Sequence, residues 1–295
     1  MAAATYRSVF APALFAGKVA VVTGGGSGIG RCIGHELASL GAHVVLIGRQ
    51  LETLHATAGE ILADGGRASF HACDTGDEEA VKNTVQAIIA VHGRIDALVN
   101  NAGAQPTAPL ETISLKGWEA ELATHLTGGF LMARECYVQS MQVHGGAIVN
   151  IAHGGAARSG MLSFTETAAA EWAHSGVRVN AVAPRHFVSS GMDRQSADGA
   201  PVPRELGDTV PMRRLGTEAE TSAAVSFLLS PAAAFITGSV LRVDGGPQLQ
   251  MGGLVKAPRE DAQQRDAVRP FEGFHRAVVP QVLPAGDEAS PGAKG

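Results

Sequence analysis

Apolar residues in this chain follow two spacings that alternate along its length. Short continuous apolar runs are typical of buried parallel strands, and they predict strands at 18–23, 42–47, 68–73, 96–100, 146–151, 177–183 and 239–243. Between these runs, apolar residues recur every three or four positions, which is typical of helices with one buried face. This second spacing predicts helices at about 28–40, 51–63, 77–91, 118–141, 159–174 and 217–229.

The alternation of strands and helices predicts the fold class. Such a pattern builds a parallel sheet through right-handed crossovers. We therefore predict an α/β fold, a Rossmann-type doubly wound sheet of seven parallel strands in a three-layer sandwich. With 295 residues, 45% of them hydrophobic, the chain is suited to one domain. We place this domain at 18–246, after an N-terminal arm at 1–17 and before a C-terminal extension at 247–295.

The C-terminal extension is rich in proline and has little periodicity. Two interpretations remain open for it. Either it wraps a neighbouring subunit, or it is largely disordered. The apolar residues that would anchor it in the first case are Phe271, Phe274, Val278 and Val279.

Charge and cysteine content exclude several classes of partner. A net charge of -5 and a pI near 6.1 do not favour binding to nucleic acid or to an anionic membrane. No apolar run approaches the roughly 18 residues that span a bilayer. The three cysteines are odd in number and widely spaced, which favours a reduced compartment over a disulfide framework. We expect a cytoplasmic protein with a small-molecule substrate.

A cluster of glycines in Thr23–Gly30 joins the first predicted strand to the first predicted helix. Gly24 is suited to the turn, and the absence of side chains further on lets a pyrophosphate approach the backbone. The helix N-terminus then binds the anion. The alternative is a glycine turn with no ligand. The residues predicted to bind the nucleotide here are Thr23, Gly24, Ser27, Gly28, Ile29 and Gly30.

The end of the second predicted strand indicates which dinucleotide is bound. A site for NAD usually has an acidic residue at this position, about twenty residues beyond the glycine turn, to hold the ribose hydroxyls. This chain has Gly48 and Arg49 there instead. A guanidinium is suited to a 2′-phosphate, so we predict NADP(H) as the cofactor. The alternative is a solvated arginine on a turn.

Two further motifs carry a family resemblance. Asp74–Thr75 follows the third predicted strand, and Asn100–Gly103 closes the fourth. With Thr23–Gly30 after the first strand, these segments occur in the order found in the short-chain dehydrogenase/reductase family, which the chain resembles. The resemblance implies a nicotinamide cofactor. It also implies that Asp74 meets the adenine amino group. The other residues that it places beside the cofactor are Thr75, Asn101, Ala102, Gly103 and Pro184.

Four segments are similar to one branch of that family. They are Tyr6–Pro12, Lys116–Trp118, Glu171–Ala173 and Phe227–Pro231. They resemble the peroxisomal trans-2-enoyl-CoA reductase branch and bacterial relatives of the citronellol/citronellal dehydrogenase type. The resemblance runs from about residue 6 to 246.

The family's catalytic residues do not have clear counterparts in this sequence. The family uses a serine, a Tyr-x-x-x-Lys pair and an asparagine. This chain has two tyrosines, Tyr6 and Tyr137, and neither has a lysine four residues further on. The resemblance instead aligns Gly154 with the tyrosine and Arg158 with the lysine. The connection after the fifth predicted strand is too short for the loop that carries the serine.

Three residues remain as catalytic candidates. His125 falls at the asparagine position, and His153 follows the fifth predicted strand; a histidine can act as an acid near neutral pH. The alternative for each is a structural, hydrogen-bonded histidine. Arg158 is suited to hold the ribose hydroxyls, but an always-charged guanidinium cannot relay a proton.

Beyond the sixth predicted strand, Arg185 stands close to the expected nicotinamide site. It either perturbs the cofactor or recruits an acidic substrate group. Residues 188–215 have the composition of a substrate lid.

The sequence therefore predicts an NADP(H)-dependent oxidoreductase that acts on an enoyl-CoA, an acyl-CoA or a terpenoid alcohol or enal. The alternatives are a nucleotide-binding pseudoenzyme that assembles with an active paralogue, and a lyase, isomerase or cyclase that reuses the fold. We expect a homodimer or homotetramer formed through the helices at 118–141 and 159–174. The small residues expected to allow close helix approach are Ala133, Ala168, Ala169 and Ala170.

Overall fold

The computed structural model describes residues 5–103, 111–152, 155–189, 207, 210–246, 270–278 and 280. Seven parallel strands form one sheet in the order β3-β2-β1-β4-β5-β6-β7. The strands are β1 Val19–Thr23, β2 His43–Gly48, β3 Arg67–Ala72, β4 Ala97–Asn100, β5 Gly146–Ile151, β6 Val177–Pro184 and β7 Val240–Val243. The predicted seven-stranded doubly wound sheet is thus confirmed.

Helices connect the strands. They are α1 Gly28–Ser39, α2 Leu51–Ala63, α3 Glu78–His92, α4 Leu115–Glu121, α5 Gly128–Cys136, α6 Gln142–His144, α7 Ala156–Trp172 and α8 Glu218–Leu229. The helix predicted at 118–141 is longer than expected and is interrupted by a first π segment, Leu122–Thr127, and a second π segment, Tyr137–Met141. No helix among the described residues is long and apolar enough to cross a bilayer.

Helices cover both faces of the sheet. On one face, α1, α2 and α8 bury residues such as Ile33, Ile61 and Val225 against the strands. On the other face, α3, α5 and α7 bury a second apolar cluster that includes Ile88 and Met132. The central strands β1, β2, β4 and β5 are covered on both faces, which explains why their sequences are continuous apolar runs.

The strand order reverses between β1 and β4. The chain runs outward from β1 to β3 and then returns through α3 to pair β4 with the other edge of β1. Ligands of doubly wound sheets bind at this reversal, beyond the carboxyl ends of the strands. The fold therefore brings the residues after Thr23 and Asn100 to one place.

The described part of the C-terminal extension, residues 270–278, packs on this same chain; we refer to it as the clasp. Phe274 is 5% exposed and packs with Tyr6 of the N-terminal arm. The backbone N–H of Arg7 donates to the carbonyl of Gly273 at 2.9 Å. Arg276 donates to both carboxylate oxygens of Asp64, at the end of α2. Val279 lies outside the described residues.

Under the arm, Glu36 of α1 is fully buried. Tyr6 donates to one carboxylate oxygen at 3.2 Å, and Ser8 donates to the other at 2.8 Å. Burial raises the pKa of Glu36, although the hydroxyls around it act in the opposite direction. The three cysteines are free and buried, as expected of a chain without a disulfide framework.

Candidate functional site

The glycine turn and the Asn-Ala-Gly segment after β4 are joined by hydrogen bonds. The Thr23 hydroxyl accepts from the backbone N–H groups of Asn101 and Ala102, at 2.9 and 3.0 Å. The Asn101 amide donates back to the carbonyl of Thr23 at 3.0 Å. The two predicted cofactor segments therefore form one rigid edge at the strand-order reversal.

The start of α1 fits an anion. A Cβ atom at Gly30 would lie 2.3 Å from the carbonyl oxygen of Gly24, so only glycine allows the helix to approach the turn this closely. The Ser27 side chain does not cap α1. The N–H groups of Ile29 and Gly30 in the first turn have no acceptor within the helix, and together with the helix dipole they favour a bound phosphate.

The predicted adenosine end of the site lies beside β2 and β3. Arg49 is exposed directly after β2, and no acidic side chain pairs with it in the described part of the chain. Asp74 is exposed after β3, where its carboxylate accepts from the Gly76 N–H at 3.0 Å. Arg49 is thus available for a phosphate, while Asp74 already shapes its own turn.

A pocket of about 270 Å³, including its open mouth, lies at the carboxyl ends of β1, β4 and β5. Thr75, which the family resemblance placed beside the cofactor, lines it together with His125 of the first π segment. Hydroxyl, amide and imidazole groups therefore meet at the strand-order reversal. The lining residues are Thr23, Thr75, Asn100, Ala102, Thr124, His125, Gly128, Gly129, Ile151 and Met161.

His125 is 6% exposed, and its ring packs directly against Gly103. A Cβ atom at Gly103 would lie 1.7 Å from the imidazole Cε1, so a larger residue there would displace the ring. π-helical segments are frequent at functional sites, because the wider turn redirects side chains. The structure thus brings two sequence-predicted residues, His125 and Gly103, into contact, and His125 of this pair lines the pocket.

Asn100 offers the pocket an unused acceptor. Its amide nitrogen donates to the carbonyl of Gly129 at 3.0 Å and to Oδ1 of Asn150 at 2.9 Å. Asn150 in turn donates to Thr165 of α7 at 2.8 Å. The Asn100 Oδ1 atom is buried and has no hydrogen-bond partner among the described residues. Such an atom is satisfied by water or by a bound ligand.

Arg158 lies in the first turn of α7, which begins at Ala156, three residues earlier than predicted. Burial lowers the pKa of its guanidinium, and the nearby carboxylate of Glu121 opposes that shift. A guanidinium is charged at neutral pH regardless. The predicted site residue His153, and Gly154, lie outside the described residues.

Neither tyrosine lies in the pocket. The Tyr6 hydroxyl is under the N-terminal arm with Glu36, and the Tyr137 hydroxyl meets Ser175 at 3.0 Å. Both are described, and neither contributes to the lining. The pocket contains His125 and no phenol.

At the other edge of the site, Pro184 is buried at the end of β6. The exposed Arg185 pairs through its backbone N–H with the carbonyl of Val243 at 2.9 Å. Burial opposes the shift, but the hydrogen bond from Arg242 and, more weakly, the charge of the Arg185 guanidinium lower the pKa of Asp244. Most of the lid predicted at 188–215, from 190 to 206, lies outside the described residues.

Sequence reasoning missed Thr124 and Met161 as site residues, and it missed the contact of Glu121 with the start of α7. Thr124 and Met161 line the pocket, and Glu121 lies beside the start of α7. None of them belongs to a recognisable motif. One signal was available, since Glu121 precedes His125 by four residues and this spacing places two residues on one side of a helix.

Comparison with known proteins identifies the fold's relatives. A family model described as Enoyl-(Acyl carrier protein) reductase matches residues 24–248. The citronellol catabolism dehydrogenase AtuB of Pseudomonas aeruginosa PAO1 is 53% identical; the match covers 82% of this chain and 99% of that chain, with a TM-score of 0.72.

Two more distant relatives differ in the reactions that their names describe. A peroxisomal 2,4-dienoyl-CoA reductase of Danio rerio is 33% identical over 259 residues, which cover 83% of this chain and 86% of that protein. A solved structure of an actinorhodin polyketide ketoreductase variant with NADPH is 29% identical and has a TM-score of 0.72. It covers 78% of this chain and 96% of that chain.

Proposed function

Because the chain belongs to the short-chain dehydrogenase/reductase family, we propose that it is an NADP(H)-dependent oxidoreductase that reduces the activated double bond of an enoyl-CoA or a terpenoid enal. The likeness to a citronellol catabolism dehydrogenase and to a dienoyl-CoA reductase supports these two substrate classes. The sequence interpretation also included acyl-CoA and terpenoid alcohols. The composition of the pocket favours the double bond.

The cofactor part of the proposal is supported by the residues present. The glycine turn and the start of α1 fit a pyrophosphate, and the unpaired Arg49 fits a 2′-phosphate. When bound, NADPH supplies the hydride. Asp74 remains the candidate for the adenine, and Arg158 is a candidate for the ribose hydroxyls or for the substrate.

The observation that carries the proposal is the pocket itself, which contains His125 but no tyrosine. Carbonyl reduction requires a proton on the oxygen, which the family's tyrosine normally gives. Reduction of a conjugated double bond places the hydride on the β-carbon, and negative charge moves to the carbonyl oxygen. The proton then goes to the α-carbon, and His125 or water is suited to give it.

The experiment compares substrates and pH profiles. NADPH consumption is measured with a trans-2-enoyl-CoA and with citral, and NADP⁺ reduction is measured with a simple secondary alcohol. We expect turnover of the first two only. General acid catalysis is typically worth about 10²–10⁴-fold, so His125→Ala should lower the rate by at least tenfold and remove any ionisation at about pH 6–7 from the profile. His144→Ala, at an exposed histidine of α6, is the control.

Two results would reject this function. Ordinary turnover of secondary alcohols with His125 dispensable would mean that another group supplies the proton to a carbonyl oxygen. Tight NADPH binding with no turnover of any substrate would favour the pseudoenzyme alternative.

We also propose self-association through the outer surface of α5, the second π segment and α7. Of the expected small residues, Ala133, Ala168 and Ala169 are buried against the sheet of their own subunit, whereas Ala170 is exposed. The outward surface also exposes Phe130 and Val138. An exposed apolar surface of this kind is suited to a subunit interface.

A further inference from the structure

His35 of α1 lies beneath the clasp, between two carboxylates at the end of α2. Its side chain is 2% exposed, with Nε2 3.1 Å from Oε2 of Glu60 and Nδ1 3.4 Å from Oδ2 of Asp64. The ring of Phe274, on the clasp, covers the imidazole at a centroid distance of 5.1 Å. A neutral imidazole has one N–H donor, whereas an imidazolium has two. The neutral ring can therefore donate to only one of the two carboxylates.

Both carboxylates are already paired with arginines. Arg31 donates to the two oxygens of Glu60, at 2.8 and 3.0 Å. Arg276 of the clasp donates to the two oxygens of Asp64, at 3.0 and 2.6 Å. These two ion pairs balance each other's charges while His35 is neutral. A proton on His35 would add one positive charge to a buried group of side chains.

The clasp keeps this group of side chains away from water. Besides its ion pair with Asp64, Arg276 accepts a hydrogen bond through its backbone carbonyl from Nη1 of Arg31, at 3.1 Å. When the clasp detaches, the imidazole of His35 comes into contact with water beside two carboxylates. A positive charge is favoured there, because it is solvated and has opposite charges close by. The open state therefore binds a proton more readily than the closed state does.

A second histidine, His275, faces the same group from the clasp. Its Nε2 lies 3.0 Å from Oδ2 of Asp64. A proton on His275 would strengthen this contact and favour docking, which opposes the effect of His35. We expect His35 to determine the direction, because its side chain is 2% exposed against 13% for His275. The charge of the adjacent Arg31 also disfavours a proton on His35.

We propose that the clasp is released by acid: it stays docked while His35 is neutral, and protonation of His35 detaches it from α1 and from the N-terminal arm. Burial lowers the pKa of His35 to about 4 in the closed state, although the hydrogen bond to Glu60 acts in the opposite direction. A solvated histidine titrates at about pH 6.5. Docking is therefore strongest above that pH and weakens as pH falls towards the lower value. These two pKa values give a docking equilibrium that weakens about 20-fold between about pH 7 and pH 5.

The test follows amide hydrogen exchange in the full chain between about pH 7 and pH 5, with each rate divided by the intrinsic rate at that pH. The reporter is the Arg7 N–H, which donates to the carbonyl of Gly273 and is freed when the clasp detaches. We expect its protection to fall about 20-fold in the parent. His35→Gln should change by less than about twofold over this range, because the amide does not titrate. His144→Gln, at an exposed histidine of α6, is the matched control and should behave as the parent.

Three results would overturn the proposal. Constant or rising protection of Arg7 in acid would mean that an imidazolium between the two carboxylates supports docking. An undiminished fall in His35→Gln would assign the effect to another group. An equal fall in the amides of β4 would mean that the whole domain opens rather than the clasp. His275→Gln should leave the fall at least as large as in the parent, and loss of the fall in this variant would also contradict the proposed role of His35.

A second measurement decides the matter if His35→Gln does not dock the clasp even at neutral pH. The His35 ring is titrated by NMR in the parent and in Phe274→Ala, which removes the cover of the ring. We expect a midpoint at about pH 4 in the parent and above about pH 6 in Phe274→Ala. Equal midpoints would reject the proposal. None of these measurements depends on cofactor or turnover, so the proposed function and this inference can fail independently.

Discussion

Removal of the Phe274 ring should destabilise the whole domain, although the residue lies in a peripheral segment. Phe274 is 5% exposed, and its ring lies 5.8 Å from that of Tyr6 and 5.1 Å from that of His35. The Arg31 guanidinium stands over it at 5.0 Å. Truncation of a buried phenylalanine to alanine typically costs about 3–5 kcal/mol. We expect Phe274→Ala to lose about 3 kcal/mol of unfolding free energy.

The value should lie at the lower end of that range because the clasp can detach. The clasp is held on the domain by Phe274, by the Arg276–Asp64 pair and by backbone hydrogen bonding such as that of Arg7 to Gly273. The loss of unfolding free energy therefore cannot exceed the free energy with which the clasp docks. In the variant, a second change such as Asp64→Asn should then cost little more. Such non-additivity is expected when two contacts serve one docking event.

The assay is equilibrium unfolding in urea at one protein concentration, because association would otherwise shift the midpoint. Phe235→Ala is the control, since Phe235 is fully exposed at 105% and should change stability by less than about 0.5 kcal/mol. Hydrogen exchange should also rise in residues 5–10 and in the outer face of α1. A loss below about 1 kcal/mol, with unchanged exchange, would refute the reasoning.

Three further predictions follow from single residues. Arg49→Ala should remove a preference for NADPH over NADH worth about 1.5–3 kcal/mol, measured by fluorescence titration; equal affinities in the parent would contradict it. Burial raises the folded-state pKa of Glu36, so its contribution to stability is full below the unfolded pKa and is lost as pH rises through the folded one. Glu36→Gln should therefore gain stability relative to the parent in urea unfolding as pH rises from about 5 to 8, whereas a constant difference would count against it. Val138→Asp should reduce the mass measured by light scattering to that of a monomer, and a monomeric parent would exclude the proposed interface.

The strands of the sheet could be predicted closely because each is marked by a short run of apolar residues that are neighbours in the sequence. In a doubly wound fold the central strands are covered on both faces, so their sequences are continuous apolar runs that stop at polar or glycine residues. β1 was expected at 18–23 and spans Val19–Thr23; β5 was expected at 146–151 and spans Gly146–Ile151. α1 ends just before Gly41, whose φ of 95° explains the choice of glycine there.

The long helix was harder to predict. The apolar spacing over 118–141 shows a helix but not its two π segments, because an extra residue in one turn is fixed by what the helix packs against. The same limit explains why the alanines were predicted at a subunit interface. Ala133 and Ala168 each lie in a predicted helix, but only the packing shows that they face the sheet.

In the candidate site, too, the residues of local motifs could be predicted, and contacts between distant segments could not. Thr23, Asn101 and the glycines belong to motifs, and the structure brings them together at the reversal of strand order. The contact between Glu121 and Gly155 was not predicted, because the two residues are 34 positions apart and no local pattern encodes their approach. The catalytic role of His125 stays a prediction, and its position in the pocket is what makes it testable.

The contact between Arg7 and Gly273 also determines when the domain can be completed during synthesis. The apolar surface of α1 that receives Phe274 is made early, and its cover is translated about 240 residues later. At 5–20 residues per second, the ribosome needs about 12–50 s to supply it. Throughout that interval Tyr6 and Cys32 lack one side of their packing, so the nascent chain presents an apolar surface to which a chaperone can bind.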